Sequence, residues 1–248
     1  MKTLIHATGL LTGLVLATSA SAEGLTFGLE IPSLTLYANH GAGEVAGGNA
    51  WFEDVGSAAS YRLIAAYDFS GGLAVRGRLF GFEGNFDDPE DLFEVRTLDL
   101  ETVMNTDLGG LDLDVFAGLR SASIDWSDED QGDGFGFDGL GPTLGFEVSH
   151  QFGNGFGMVV GGRYSAMFGD TTELASDDTA DNVVVPSVDL RIGLDYARDL
   201  ARGGTMTFGI GVESTSFFSL SGNVDNDIDP EDIDVTLAGP YLSLGFSF

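Results

Sequence analysis

Charged residues of both signs alternate with apolar or small residues along several stretches of this sequence. Arg76 and Arg78 flank a glycine, and Asp99 and Glu101 flank a leucine. Because side chains two positions apart share one face of a β-strand, these spacings predict strands with a charged face. Such a face can form ion pairs or can line a passage for small solutes. The residues predicted to be pore-lining are Arg62, Arg76, Arg78, Asp99, Glu101, Asp112, Asp114, Arg120, Glu147, Arg163, Asp189, Arg191 and Glu213.

A hydrolytic site is the second chemistry to consider. His40 precedes Glu44, Glu53 and Asp54, and a histidine with acidic neighbours can activate water. A single histidine is more often an ordinary polar surface residue, and no serine motif lies near it. His150 ends a predicted strand on the side without long loops. We therefore predict no catalytic residues and no enzyme.

A metal site is the third chemistry to consider. The segment from Asp225 to Asp232 has the spaced oxygens of a calcium loop, but Pro230 stands where an EF-hand needs glycine. Weak, nonspecific binding of divalent cations and simple solvated charge both remain open for this segment. No specific metal site and no cofactor are predicted.

The charge balance excludes one class of partner. Residues 23–248 contain nine arginines and 39 acidic residues, a formal charge of 9 minus 39, or −30, because Lys2 is the only lysine. Nucleic-acid binding needs the opposite sign and is excluded. The chain has no cysteine, so disulfides and thiolate chemistry are excluded as well.

The first residues predict a secretory signal peptide that directs export through the Sec pathway. Lys2 supplies the positive start, Leu10 to Ala17 are largely apolar, and Ala20 to Ala22 are small residues suited to cleavage. The apolar run is shorter than the roughly 20 residues of a spanning helix. Residues 1–22 are therefore expected to be removed and residues 23–248 to form one domain.

The remaining chain contains ten stretches in which apolar residues alternate with polar or small ones. Between Leu111 and Leu119, for example, the odd positions are apolar, whereas Asp112 and Asp114 lie on the other face. In a soluble sandwich the apolar face would form the core, and in a membrane barrel it would meet lipid. Alternation alone does not distinguish these two folds.

The connections between the stretches favour the barrel, because short and long ones alternate strictly. This is the habit of outer-membrane barrels, whose long loops face outward. We therefore predict an all-β fold, a transmembrane antiparallel β-barrel of about ten strands with short periplasmic turns and long acidic extracellular loops. The predicted short turns are 70–72, 107–110, 151–155 and 198–204, and the predicted long loops are 38–56, 85–91, 125–136, 169–182 and 219–234.

The last stretch alternates up to the final residue. Leu242, Leu244, Phe246 and Phe248 share one face, and Tyr241 begins the other. We interpret these five residues as the membrane-insertion signal, with the barrel-assembly machinery as the expected partner.

Three stretches resemble the Legionella-type family of pore-forming outer-membrane proteins. They are YDFSGGLAVRGR at 67–78, FDGLGPT at 137–143 together with GGRYS at 161–165, and LAGPYLSLGFSF at 237–248. The resemblance implies a single outer-membrane barrel of Gram-negative bacteria that is described as pore-forming. It implies no catalytic residues.

These observations predict a narrow, low-conductance pore for small solutes or ions. If the segment after Asn85 closes a hairpin, Arg76 and Arg78 lie opposite or diagonal to Asp99 and Glu101, within reach of bidentate pairing. The charged residues then either fill the barrel as a structural network or form a constriction with a transverse field.

The alternative function is a non-conducting structural or adhesive barrel whose acidic loops bind partners or divalent cations. Expected surroundings are outer-membrane lipid and lipopolysaccharide, and the expected state is a monomer. Eight or twelve strands remain open, because residues 25–51 can hold one strand or two.

Overall fold

The computed structural model describes residues 24–40, 58–69, 71–85, 91–128, 133–173, 179–201, 203–220 and 233–248. Regular secondary structure in these ranges is β-strand. The strands are β1 (Gly24–His40), β2 (Ala58–Ala59), β3 (Tyr61–Phe69), β4 (Leu73–Asn85), β5 (Asp91–Asp107), β6 (Asp112–Asp128), β7 (Asp133–Gly153), β8 (Phe156–Glu173), β9 (Thr179–Asp199), β10 (Thr205–Phe217) and β11 (Ile233–Ser247).

The strands close into one antiparallel barrel of ten strands, as the sequence predicted. Each pairs with its neighbours in the chain, and β11 closes the cylinder against β1. The two-residue β2 is not an eleventh barrel strand. Its pairs with β1, such as Ser33 with Ala59, continue the register set by Glu30 with Arg62, so β2 and β3 are one strand interrupted at Ser60.

The stagger of the strands fixes the width of the barrel. The paired residues can be followed from strand to strand once around the barrel. A path that starts at Thr26 on β1 returns to β1 at Ala38. A ten-stranded barrel with this stagger has strands tilted by about 40° and a backbone radius of about 10 Å. Side chains can fill an interior of that size.

An apolar belt covers the outside of the barrel. At roughly 3.3 Å per residue and a tilt of about 40°, its stretch from Phe156 to Phe168 spans about 30 Å along the barrel axis. That height matches the hydrocarbon core of a bilayer. No helix in the described part of the chain is long and apolar enough to cross a membrane. The belt includes Ile31, Leu98, Leu100, Leu119, Leu140, Leu144, Phe168, Leu190, Leu194, Ile210, Val212 and Leu242.

The polarity of the wall inverts near the end of the barrel where β1 ends, which we call the outer end. Within the belt Leu98 faces out and Asp99 is buried inside, but towards the outer end of the same strand Arg96 faces out and Val95 is buried. The inversion marks the edge of the lipid-facing band. Beyond it the wall has an apolar inside and a polar outside, as in a water-soluble barrel.

This inversion explains why two predicted loops were too long. Residues 125–128 and 133–136 extend β6 and β7, and residues 169–173 and 179–182 extend β8 and β9. Their acidic residues had suggested loops, but inward-facing residues such as Phe135 continue the strand pattern. Most other outer-loop predictions, and those for the signal peptide, the side chain of His40 and the calcium-like segment 225–232, lie outside the described residues.

The opposite, inner end carries the short turns, as predicted. β5 and β6 are joined through Leu108 to Leu111, where Gly109 and Gly110 have φ values of 71° and 93°. Glycine adopts such values without the strain that a side chain would bring. The Asp107 carboxylate accepts a hydrogen bond from the Gly109 amide at 3.1 Å and holds the turn.

Candidate functional site

Ion pairs cross the middle of the barrel interior. Asp99 on β5 accepts hydrogen bonds from Arg120 on β6 at 2.7 and 3.2 Å and from Arg163 on β8 at 3.0 Å. Asp189 on β9 lies 2.7 Å from Arg120 and 3.3 Å from Arg163. The two arginines and Asp99 are at most 5% exposed. The group therefore joins four strands across the lumen.

A second group of ion pairs lies beside the closing strands. Arg62 on β3 pairs with Glu30 on β1, and it donates two hydrogen bonds of 2.8 Å to Glu213 on β10. Arg191 on β9 lies 3.0 Å from the same Glu30, and it donates to the Tyr241 hydroxyl at 3.2 Å. Glu30 and Tyr241 were not among the predicted pore-lining residues.

The predicted register of β4 and β5 is confirmed. Arg76 lies opposite Glu101, and Arg78 lies opposite Asp99. Arg76 donates to Glu101 at 2.8 Å through Nε, so this is a single contact rather than a bidentate pair. Arg78 does not pair with Asp99, because Arg120 and Arg163 already occupy that carboxylate.

Three of the predicted residues lie nearer the inner end. Asp112 is exposed at the start of β6, away from the ion pairs. Asp114 accepts a hydrogen bond of 2.8 Å from Asn105, and Glu147 lies 3.9 Å from Arg191 at a partly exposed position. The structure therefore gathers ten of the thirteen predicted residues into the middle of the barrel and leaves these three towards its mouth.

An apolar cluster fills the interior between the ion pairs and the outer end. Sequence reasoning missed it, because apolar residues were assigned to the lipid face. The signal was present where both faces of a strand turn apolar or glycine-rich, as in Leu79 to Phe82 and Phe135 to Phe137. The cluster contains Leu34, Leu36, Phe80, Phe82, Phe93, Val95, Ala122, Ile124, Phe135, Phe137, Met167, Val185, Phe217, Leu220, Val235 and Leu237.

The cavities of the described interior are unequal. One of about 290 Å³ lies in the inner half. Its lining combines apolar residues such as Ile64 with charged residues of both signs, namely Arg76, Arg78, Arg191, Glu30, Asp68, Asp114 and Glu147. Two others, of about 30 and 10 Å³, lie among the ion pairs. Of these three cavities, the one on the inner side has the largest volume. The described residues contain no group of three or more metal-ligating side chains.

A comparison with protein families identifies the chain. Residues 97–248, more than half of the sequence, match the family described as Legionella pneumophila major outer membrane protein precursor. The chain belongs to this family. The resemblance seen in the sequence motifs is confirmed, and the protein is an outer-membrane β-barrel.

Solved outer-membrane barrels are similar to this Legionella-family protein at low sequence identity. The outer membrane protease OmpT from Escherichia coli is 10% identical, with a TM-score of 0.51, and the match covers 92% of this chain and 98% of OmpT. The translocator domain of the autotransporter NalP from Neisseria meningitidis is 12% identical, with a TM-score of 0.47 and coverage of 94% and 90%. At 10% identity the likeness to OmpT shows the fold alone. No curated protein sequence matches the chain.

The last strand of the Legionella-family barrel places the predicted insertion residues on two faces. Leu242 and Phe248 are exposed on the outside, on the face that Leu244 and Phe246 share, whereas Tyr241 is buried inside against Arg191. Phe248 and Leu25 exchange backbone hydrogen bonds of 3.0 and 3.1 Å that complete the closure. His150 lies on the inner side, as predicted, but β7 continues past it to Gly153, and its Nδ1 atom is 2.8 Å from the Gly110 carbonyl oxygen.

Proposed function

We propose that this protein is a closed, non-enzymatic outer-membrane barrel that presents an acidic surface outside the cell. The observation that carries the proposal is the stacking of two layers in the lumen. Ion pairs cross the middle of the barrel, and the apolar cluster lies towards the outer end. Fold likeness to a protease does not transfer an activity.

The two layers oppose solute passage for different physical reasons. An ion that enters the middle has to compete with buried, hydrogen-bonded ion pairs. An ion that reaches the apolar cluster loses its hydration shell without finding polar replacements. Val95 and Ile124 in this cluster are 0% exposed, which leaves no aqueous path beside them.

Planar-bilayer recording of the refolded protein, produced without residues 1–22, tests the closed state. Folding is verified first by heat-modifiable migration on a gel, and a general porin reconstituted in parallel is the positive control. We expect bilayers that contain the folded protein to show no discrete conductance steps. Reproducible conductance steps at ordinary voltages would contradict the closed-barrel proposal.

A narrow pore is the second candidate, favoured by the cavity of about 290 Å³ and its charged walls. In that case Arg76 and Arg78 face the conducting path, and their replacement changes the transverse field. Arg76→Ala and Arg78→Ala are expected to alter conductance or ion selectivity, whereas Arg96→Ala, on the outer wall, is the matched control. Identical currents in all three variants and in the parent protein would remove these arginines from a pore.

The acidic residues on the outer wall point to lipopolysaccharide as a partner. Asp125 and Asp138 face outward on neighbouring strands beyond the apolar belt, where lipopolysaccharide lies. We propose that divalent cations bridge these carboxylates to lipopolysaccharide phosphates. Co-purifying lipopolysaccharide should decrease after EDTA treatment and in the double variant Asp125→Asn/Asp138→Asn. Undiminished lipopolysaccharide in both experiments would contradict the bridge.

A further inference from the structure

Arg78 differs from the other arginines of the described interior because it lacks a carboxylate partner. Arg62, Arg76, Arg120, Arg163 and Arg191 each have at least one carboxylate oxygen within 3.0 Å. Arg78 has none within 4.0 Å among the described residues, and its Nε atom is buried without a hydrogen-bond acceptor there. Its neighbours across the strands are Ile64, which is apolar, and Asp99, which other arginines occupy.

A count of the paired charges in the interior also singles out Arg78. The six arginines face five carboxylates that pair with them at 3.3 Å or less, which leaves one positive charge in excess within this paired group. Asp68, Asp114 and Glu147 also line the inner cavity, and of these Glu147 is 3.9 Å from Arg191 and 31% exposed in its side chain. Arg78 is half-buried, and a charge held partly away from water without a counterion is costly. The paired carboxylates are Glu30, Asp99, Glu101, Asp189 and Glu213.

The space beside Arg78 is suited to a ligand. Arg78 lines the cavity of about 290 Å³ and both smaller ones. Ile64, Ala66, Ala74 and Val103 give the large cavity an apolar wall. That wall can receive a short alkyl chain while Arg78 holds a charged end.

The acidic residues of the same cavity limit the charge of the ligand. Glu30 is already paired with Arg62 and Arg191, whereas Asp68, Asp114 and Glu147 lie towards the inner mouth. A divalent anion would bring more negative charge than the single excess arginine balances. A monovalent anion matches it.

We propose that Arg78 binds a small monovalent anion, a halide or a short-chain carboxylate, inside the inner half of the barrel. Both candidates offer one negative charge to the guanidinium, and the carboxylate adds contact with the apolar wall. This site requires a folded lumen but no conductance, so it stands independently of the closed state proposed above.

Thermal unfolding in detergent micelles tests the site. The protein is refolded in a buffer whose anion is a bulky sulfonate, which is then replaced by chloride or butyrate at constant ionic strength. Binding to the folded state alone should raise the unfolding midpoint by about 2–5 °C. A larger rise with butyrate assigns the site to carboxylates, and a larger rise with chloride assigns it to halides.

Three variants locate the effect. Arg78→Met removes the charge but keeps an unbranched chain and should abolish the shift, whereas Arg78→Lys keeps the charge and should retain a shift. Arg96→Gln removes an arginine from the outer wall and should behave as the parent protein. An equal shift in Arg78→Met, or no shift with either anion in the parent protein, overturns the proposal.

A second measurement decides the question if Arg78→Met does not fold. Crystals of the parent protein grown in bromide should show an anomalous scattering peak within hydrogen-bond distance of the Arg78 guanidinium. If bromide peaks occur only elsewhere on the molecule, or not at all, a halide at Arg78 is rejected. If crystals grown with bromobutyrate give the same result, a carboxylate at Arg78 is rejected.

Discussion

Arg163 is the side chain on which the central ion pairs converge. Its guanidinium contacts Asp99 at 3.0 Å, Glu101 at 2.6 Å and Asp189 at 3.3 Å. Arg163→Met keeps the chain length but leaves these carboxylates with fewer counterions in a buried place. We expect the free energy of unfolding to fall by about 3–5 kcal/mol, measured by urea denaturation in micelles.

The control for this experiment is Arg96→Met. Arg96 pairs with Glu94 at 2.9 Å, but its side chain is 66% exposed on the outer wall. Exposed pairs contribute about 0–1 kcal/mol, so this variant should unfold almost as the parent protein does. Equal destabilisation by the two substitutions would mean that the interior ion pairs contribute no more to stability than the exposed pair does.

The pairing of individual charges could be predicted from the sequence only in part. Alternation predicted that Arg76 lies opposite or diagonal to Glu101 on the neighbouring strand, because the two strands of a hairpin share a register. It did not predict that Asp99 joins Arg120 and Arg163, since Arg163 comes from a strand that does not adjoin Asp99. Contacts across the lumen depend on the stagger of the strands and on the closure of the barrel, and a local sequence pattern contains neither.

Strand β6 contains both kinds of wall and offers a test at the scale of one element. Ala117 faces out within the apolar belt, and Ser123 faces out beyond it. Ala117→Arg should cost about 2–4 kcal/mol of folding free energy in lipid vesicles, whereas Ser123→Arg should cost about 0–1 kcal/mol. Similar costs at the two positions would contradict the inversion of the wall.

Strand β11 closes the barrel through its last residue. Deleting Phe248 removes the backbone hydrogen bonds with Leu25 and an exposed aromatic ring, whereas Phe248→Ala removes the ring alone. We expect the deletion to reduce the heat-modifiable fraction in outer membranes more than the substitution does. Equal losses would assign the effect to the ring and leave closure by the backbone without a role.

Element boundaries were the weakest part of the sequence prediction. Ten strands and the short inner turns follow from alternation and from glycine pairs such as Gly109 with Gly110. The outer ends of β6 to β9 were predicted as loops because acidic residues appear there on the outward face. Inside the same segments Phe135 and Phe137 are buried, and it is this burial that extends the strands.

At the scale of the whole molecule, the inversion of the wall predicts how the barrel sits in the membrane. The apolar belt ends on the outward face of β6 after Leu119, and polar residues such as Ser123 follow it, whereas Leu108 lies in a turn at the inner end. Long loops of such barrels face the cell exterior, so Ser123 should lie outside and Leu108 in the periplasm.

Single cysteines can report this orientation directly, because the chain has none of its own. On intact cells a membrane-impermeant maleimide should label Ser123→Cys, and it should label Leu108→Cys only after the outer membrane is permeabilised. Ala117→Cys, covered by lipid, should remain unlabelled in both conditions. Labelling of Leu108→Cys on intact cells would reverse the orientation, and the acidic wall would then face the periplasm, where it could not meet lipopolysaccharide.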